Sequence, residues 1–244
     1  MLITTHLKPF RHGNHFRANA LRGAASLIDP FLGVDHAWMS GPTFPMHHHE
    51  GMSAVSYLFL DSETSVDNHD SLGARHLIRP GALHWTTAGS GIDHEGQPVE
   101  TGKIVHSLQI FVDLAPERRN IDAFTLTLEP EDIPVVQTVD ATVRIPVGGF
   151  GKTRSPLVPP TDVTLLDITV RPGRSLAIPI AAGERAFFLP ISGMVTLEEE
   201  SYDASDLRVP VYLAQETARH AMLHAPYGAQ VMFFTGPSLQ PRSR

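Results

Sequence analysis

Reversals of direction recur along this chain at short intervals, and that restricts it to a fold of short strands. Asp70-Ser71-Leu72-Gly73, Arg79-Pro80-Gly81, Arg171-Pro172-Gly173 and Ile191-Ser192-Gly193 are all turn sequences. In a Pro-Gly pair the proline presets φ and the glycine accepts a positive φ, so the chain folds back sharply. Between the turns lie β-rich runs: Ala54 to Leu60, Leu108 to Val112, Val163 to Val170 and Ala186 to Leu197. Strand alternation puts Gln109 on the side opposite Leu108 and Ile110. Helical periodicity is weak, apart from a short turn around Pro116 to Ile121. Many short strands joined by such turns point to an all-β sandwich or barrel.

The two halves share a plan. A strand, an Arg-Pro-Gly turn and a second strand occur near residues 75–86 and again near 163–178, and Leu128 to Val139, with Pro130 and Pro134, reads as a linker. The expected division is residues 1–128 and residues 129–244, two β-domains within 244 residues. Composition narrows the function classes. With no cysteine, disulfide and thiolate chemistry are excluded. A net charge of −7 argues against direct nucleic-acid binding, which rests on clustered Lys and Arg. No apolar run is long enough to span a bilayer, and no secretory leader is evident, so a cytoplasmic protein without membrane contact is expected. Lys8, Arg11, Arg17 and Arg22 precede the first acid, Asp29; this basic start fits a transit peptide or the first strand pair of a cytosolic domain.

Chemistry concentrates in the first half, since only His220 and His224 lie beyond His106. His47-His48-His49 opens a strand-like run, and alternation would send His47 and His49 to one face and His48 and Glu50 to the other. Two imidazoles on one strand and a third, His94, after the turn Gly89-Ser90-Gly91 can make three corners of a mononuclear metal site. The alternative is three ordinary core or turn histidines.

Phe44-Pro45-Met46-His47-His48-His49-Glu50-Gly51 resembles the pirin signature. Asp70 to Gly73, Arg79-Pro80-Gly81, Trp85 to Ile92 followed by His94, and His106 to Val112 continue the pirin pattern in order. Gly148 to Pro156 and Val163 to Asp167 resemble the start of the pirin C-terminal domain. The resemblance implies a bicupin, two antiparallel jelly-roll barrels in one chain, with a metal in the N-terminal barrel and a structural C-terminal barrel. The ligands it implies are His47, His49 and His94, holding one divalent transition metal: iron first, with zinc, nickel, manganese, copper or cobalt as alternatives. The family's glutamate ligand falls at Gly96, a second often acidic position at Ser53, and an aspartate before the first histidine at Met46. Glu95 is the neighbouring carboxylate and the candidate base, but an extended strand would turn it away from His94 unless a bulge intervenes.

Three functions follow from the resemblance. One is a quercetin 2,3-dioxygenase-like oxidoreductase acting on a small oxygenated aromatic such as a flavonol. Another is a metal-dependent redox-sensing or transcription-cofactor-type protein with a protein partner. The third is a metal-free family member. A set of neutral imidazoles leaves a bound ion more electrophilic than the family's mixed set would. His106 is an expected hydrogen-bond partner of a ligand imidazole, and Gln109 an expected pocket residue able to supply an oxygen. Gly151-Lys152-Thr153 ends like a phosphate loop but lacks its first glycine, and Glu198-Glu199-Glu200 reads as a solvated hairpin.

Overall fold

The computed structural model describes residues 1–239 and is nearly all β. Twelve strands make up the first half: β1 (Leu2–His6), β2 (Lys8–His12), β3 (Phe16–Leu21), β4 (Phe31–Met39), β5 (His47–His49), β6 (Met52–Leu58), β7 (Val66–Asp70), β8 (Arg75–Ile78), β9 (Leu83–Thr87), β10 (Ile92–Pro98), β11 (Val105–Asp113) and β12 (Phe124–Leu128). Seven of them form one sheet in the order β12-β9-β6-β11-β4-β3-β2, and four form another in the order β5-β10-β7-β8. The pairings are antiparallel throughout. The two sheets face each other and enclose a cavity between them.

The central strands of the seven-stranded sheet pack one face against the second half and turn the other to the cavity, so their residues alternate in role. On β11, Leu108, Ile110 and Val112 belong to a core shared with Val147, Leu165, Phe187, Val211, Met232 and Phe234 of the second half. The alternate residues Ser107, Gln109 and Phe111 line the cavity. Phe31 meets Phe187 and Phe234 edge to face at 5.4 and 5.5 Å, and those two rings stack at 4.4 Å. Within this apolar layer Tyr57 donates to Asp167 Oδ2 at 2.7 Å, joining the two halves by a buried polar bond.

The second half is a ten-stranded sheet system that also recruits β1, which pairs with Arg208–Tyr212. Residues 129–134 carry the chain from the first sheet to Val135–Gln137 of the second. Its interior is filled by side chains such as Ile145, Ile168, Ile178, Phe188, Val195, Leu223 and Phe233. The expected turn near Pro116 is a 3-10 turn over Pro116–Arg118, and a four-residue helix, Ala25–Ile28, is an element that the periodicity does not announce. The hairpin at Glu198 turns through a positive φ of 55°, in keeping with a solvated tip. Among the described residues no helix is long and apolar enough to cross a membrane.

Candidate metal centre

The three-residue strand β5 pairs with β10 in the register His49 to Ile92, His48 to Asp93 and His47 to His94. Cross-strand partners share a face, so His47 and His94 point the same way, and alternation adds His49. Ring centroids lie 4.8 Å apart for His47 and His49, 4.7 Å for His47 and His94, and 5.0 Å for His49 and His94. One nitrogen from each lies within 4.8 Å of the others, with His47 exposed, His49 half-buried and His94 buried. A tetrahedral ion with bonds near 2.0–2.1 Å needs nitrogens roughly 3.4 Å apart, so small ring rotations would close the set.

Hydrogen bonding fixes which nitrogens remain for an ion. His47 Nδ1 is 2.9 Å from the carbonyl of Pro45, and His94 Nδ1 is 3.2 Å from Asn68 Oδ1. A carbonyl only accepts, so His47 Nδ1 carries the proton and its Nε2 keeps a lone pair, while His94 turns Nδ1 toward the Asn68 amide and Nε2 away from it. His94 Nε2 is buried and has no hydrogen-bond partner. Burial, followed by the neighbouring imidazoles, lowers His94 to about 3 and His49 to about 4 from the ordinary 6.5, so both rings are neutral near pH 7. A buried, neutral, unpartnered imidazole nitrogen aimed at two others is the donor set that a transition metal takes. The residues present fit such an ion.

The cavity around them measures about 390 Å³, the size of a small-molecule site. Phe10, Phe16 and Phe44 form an aromatic wall, with Phe10 against Phe16 at 6.1 Å and Phe16 against Phe44 at 4.9 Å. Arg22 bonds both oxygens of Asp35, Nε to Oδ1 at 2.8 Å and Nη2 to Oδ2, and its guanidinium lies 4.5 Å over the Phe111 ring. Among the described residues lining the cavity the carboxylate is Asp35, and Arg22 occupies it. Gln109 lines the cavity as expected, but its Oε1 accepts from Ser56 Oγ at 3.0 Å.

Two expectations need revising. The register of β10 runs without a shift from Ile92 to Pro98, so no bulge brings Glu95 round. Glu95 pairs with His69 and lies on the face opposite His94, leaving the candidate base outside the cavity. His106 shares the face of Leu108 and Ile110, where it meets His36 at 2.7 Å and Asp61 at 2.7 Å; the partner of His94 is Asn68. Ser53 is on the face of Val55 and Tyr57, packed toward the core rather than the cavity, so a carboxylate there would not reach the site. Met46 is exposed and does not line the cavity. His48 behaves as expected: it faces outward, half exposed, with Nδ1 2.9 Å from Asp93. Gly96, at the family's glutamate position, does face the cavity.

Sequence reasoning passed over Asn68, His84, Arg22, Asp35 and the phenylalanine wall. His84 lies inside the first half beside Asn68, and burial lowers it to about 4. A polar residue between Leu83 and Trp85 was a signal that could have flagged it. Nothing in the spacing announces Asn68, whose importance comes from standing directly across from Gly96.

Comparison with known proteins agrees with this fold. The family model Pirin matches residues 3–112. Human pirin is 32% identical over 184 residues, covering 75% of this chain and 62% of its own. The chain spans between about half and two thirds of the length of curated relatives such as pirin-like proteins of Arabidopsis thaliana. A quercetin 2,3-dioxygenase crystal structure from Acinetobacter baumannii superposes with a TM-score of 0.86 at 19% identity, covering 97% of this chain and 86% of its own. The nickel(II) complex of the Escherichia coli bacterial pirin YhhW superposes with a TM-score of 0.75 at 18% identity, covering 98% and 100%.

Proposed function

Because the chain belongs to the pirin family, we propose that its first half is a mononuclear metal site acting on a small, anionic, oxygen-bearing aromatic, in the manner of a quercetin 2,3-dioxygenase. The observation that carries this reading is the convergence of His47, His49 and His94 at the wall of a cavity, with His94 Nε2 buried and unpartnered. Iron is the ion proposed first, with zinc, nickel, manganese, copper or cobalt as alternatives. A bound divalent ion would supply a Lewis-acid centre with open coordination positions. His47, His49 and His94 would hold it without cancelling any of its charge, because all three donors are neutral. That favours a substrate which brings its own negative oxygen, such as the ionised hydroxyl of a flavonol. Phe10, Phe16 and Phe44 give a flat ring a surface to stack on and keep water from one side. Asp35 is engaged by Arg22 and Glu95 faces away, so the substrate enters already ionised rather than losing its proton to a cavity carboxylate.

The test is direct. Protein loaded anaerobically with iron, manganese, nickel, copper or cobalt is mixed with a flavonol and exposed to air. Oxygen uptake above the protein-free rate is expected with at least one ion; no uptake with any of them refutes the enzyme reading.

The missing cavity base favours a second reading, a metal-dependent redox-sensing protein that binds a protein partner and needs no turnover. Partner capture that is identical for apo, ferrous and ferric protein would exclude it. Metal analysis of untagged protein separates both readings from a metal-free family member.

A further inference from the structure

Asn68 stands on β7 directly across from Gly96, and it is only 3% exposed. Its side-chain amide lies between two histidines. Oδ1 is 3.2 Å from His94 Nδ1, and Nδ2 is 3.3 Å from His84 Nε2. His84 is 3% exposed and stacks on His76 at 5.3 Å and 16°. The remaining nitrogens, His94 Nε2 and His84 Nδ1, are both buried without a hydrogen-bond partner.

Such a chain can be protonated in two self-consistent ways. In one, His94 carries its proton on Nδ1 and donates it to Asn68 Oδ1. Asn68 Nδ2–H donates to His84 Nε2, which leaves the His84 proton on Nδ1. In the other, the amide is turned by half a rotation, His94 holds its proton on Nε2, and His84 donates Nε2–H to Oδ1. Each arrangement leaves one buried donor and one buried acceptor unpaired, so neither wins on that count. Only the first presents a lone pair on His94 Nε2, the nitrogen available to an ion. Neutral histidine in water favours the Nε2–H form, so His94 needs a group that overrides its intrinsic preference.

We propose that Asn68 is that group: a positioning residue whose amide, with Oδ1 set 3.2 Å from His94 Nδ1, holds His94 in the tautomer that metal ligation requires. The inference rests on the metal reading of the three histidines. An amide acceptor on the remote nitrogen orients the ring and makes the ligating nitrogen more basic. His84 senses the arrangement without touching the site, because its own proton is placed by the same amide.

The experiment reads tautomers by imidazole nitrogen NMR on histidine-labelled protein, metal-free and loaded with zinc, alongside zinc titration. In wild type both His94 and His84 are expected to carry the proton on Nδ1, with and without zinc. Asn68→Leu should return both to the Nε2–H form and weaken zinc binding by about 10–100-fold. Asn68→Asp is the discriminating variant, since a carboxylate accepts on both sides. His94 should stay Nδ1–H and bind zinc, while His84 switches its proton to Nε2; a merely structural role for Asn68 would not separate the two rings. An Nε2–H signal for His94 in wild type overturns the proposal, as does an unchanged pair of tautomers in Asn68→Asp. If Asn68→Leu does not fold, the Asn68→Asp result decides alone. Wild type that shows the expected tautomers yet binds no zinc defeats the metal reading while leaving the tautomer assignment standing.

Discussion

Lowering pH from about 7.5 to about 5.5 should destabilise the metal-free protein, and three buried histidines set much of the loss. His36, His84 and His94 are 5%, 3% and 8% exposed. Burial is the largest cause in each case and lowers them to about 3, about 4 and about 3 from 6.5. The unfolded chain takes up protons at these positions as pH falls through 6.5, whereas the folded chain does not until about 3–4. Between those limits the unfolded state binds more protons, so stability falls with pH. At about pH 5.5 each such histidine costs roughly RT ln 11, or about 1.4 kcal/mol, against under about 0.1 kcal/mol at about pH 7.5. The figure hardly depends on how far below 5.5 the folded value lies. Together the three remove about 4 kcal/mol, a large share of the 5–15 kcal/mol typical of a domain. Urea unfolding with a chelator present, at the two pH values, measures it. His84→Phe should retain about 1.4 kcal/mol of that loss as stability at the lower pH, judged by the change between pH values rather than by absolute stability. A wild type equally stable at both, or a variant with the full loss, would refute the burial argument.

Other perturbations test the site and the packing. Alanine at His94 should abolish stoichiometric metal uptake, whereas His48→Ala should leave it nearly unchanged; equal losses measured by elemental analysis would mean the facing of β5 is wrong. Glutamate at Gly96 enters a backbone without positive φ, and its Cβ meets Val66 Cγ1 at 3.1 Å, a crowded but yielding contact. Even screened as in bulk water, a carboxylate about 4 Å from a dication is worth about 2 kcal/mol. Allowing about 1 kcal/mol for the displaced methyl, competition titration should show roughly fivefold tighter metal binding, and weaker binding would contradict the placement of Gly96. Tyr57→Phe leaves Asp167 with Gln230 but without its phenol donor, and should cost about 1–3 kcal/mol in urea unfolding. No measurable change there would show that the bond between the halves contributes nothing net.

The strand content of this chain was legible because its signals are local. Turns such as Arg79-Pro80-Gly81 and alternation such as Leu108-Gln109-Ile110 depend on neighbours in sequence, and the structure reproduces both. The facing of His47 and His49 was likewise readable from a period of two. Asn68 was not, since it owes its position to the pairing of β7 with β10 and its contact with His84 to β9 of the other sheet. His106 illustrates the opposite error: a histidine in a motif strand was assigned to the site, but the parity of β11 puts it on the other face with His36. The Ala25–Ile28 helix escaped for a different reason, because a single turn carries no usable periodicity.

The filled interior of the second half divides the evolutionary freedom of this molecule unevenly. Where Ile168, Phe188 and Leu223 interlock, a substitution is judged by volume, and polar novelty is rejected with the fold itself. Around the hollow of the first half, residues such as Ser56 and Gln109 border open space, so a change there meets the cavity before it meets a packed centre. A substitution around the cavity can thus alter what it would admit, whereas one in the second interior must first be packed.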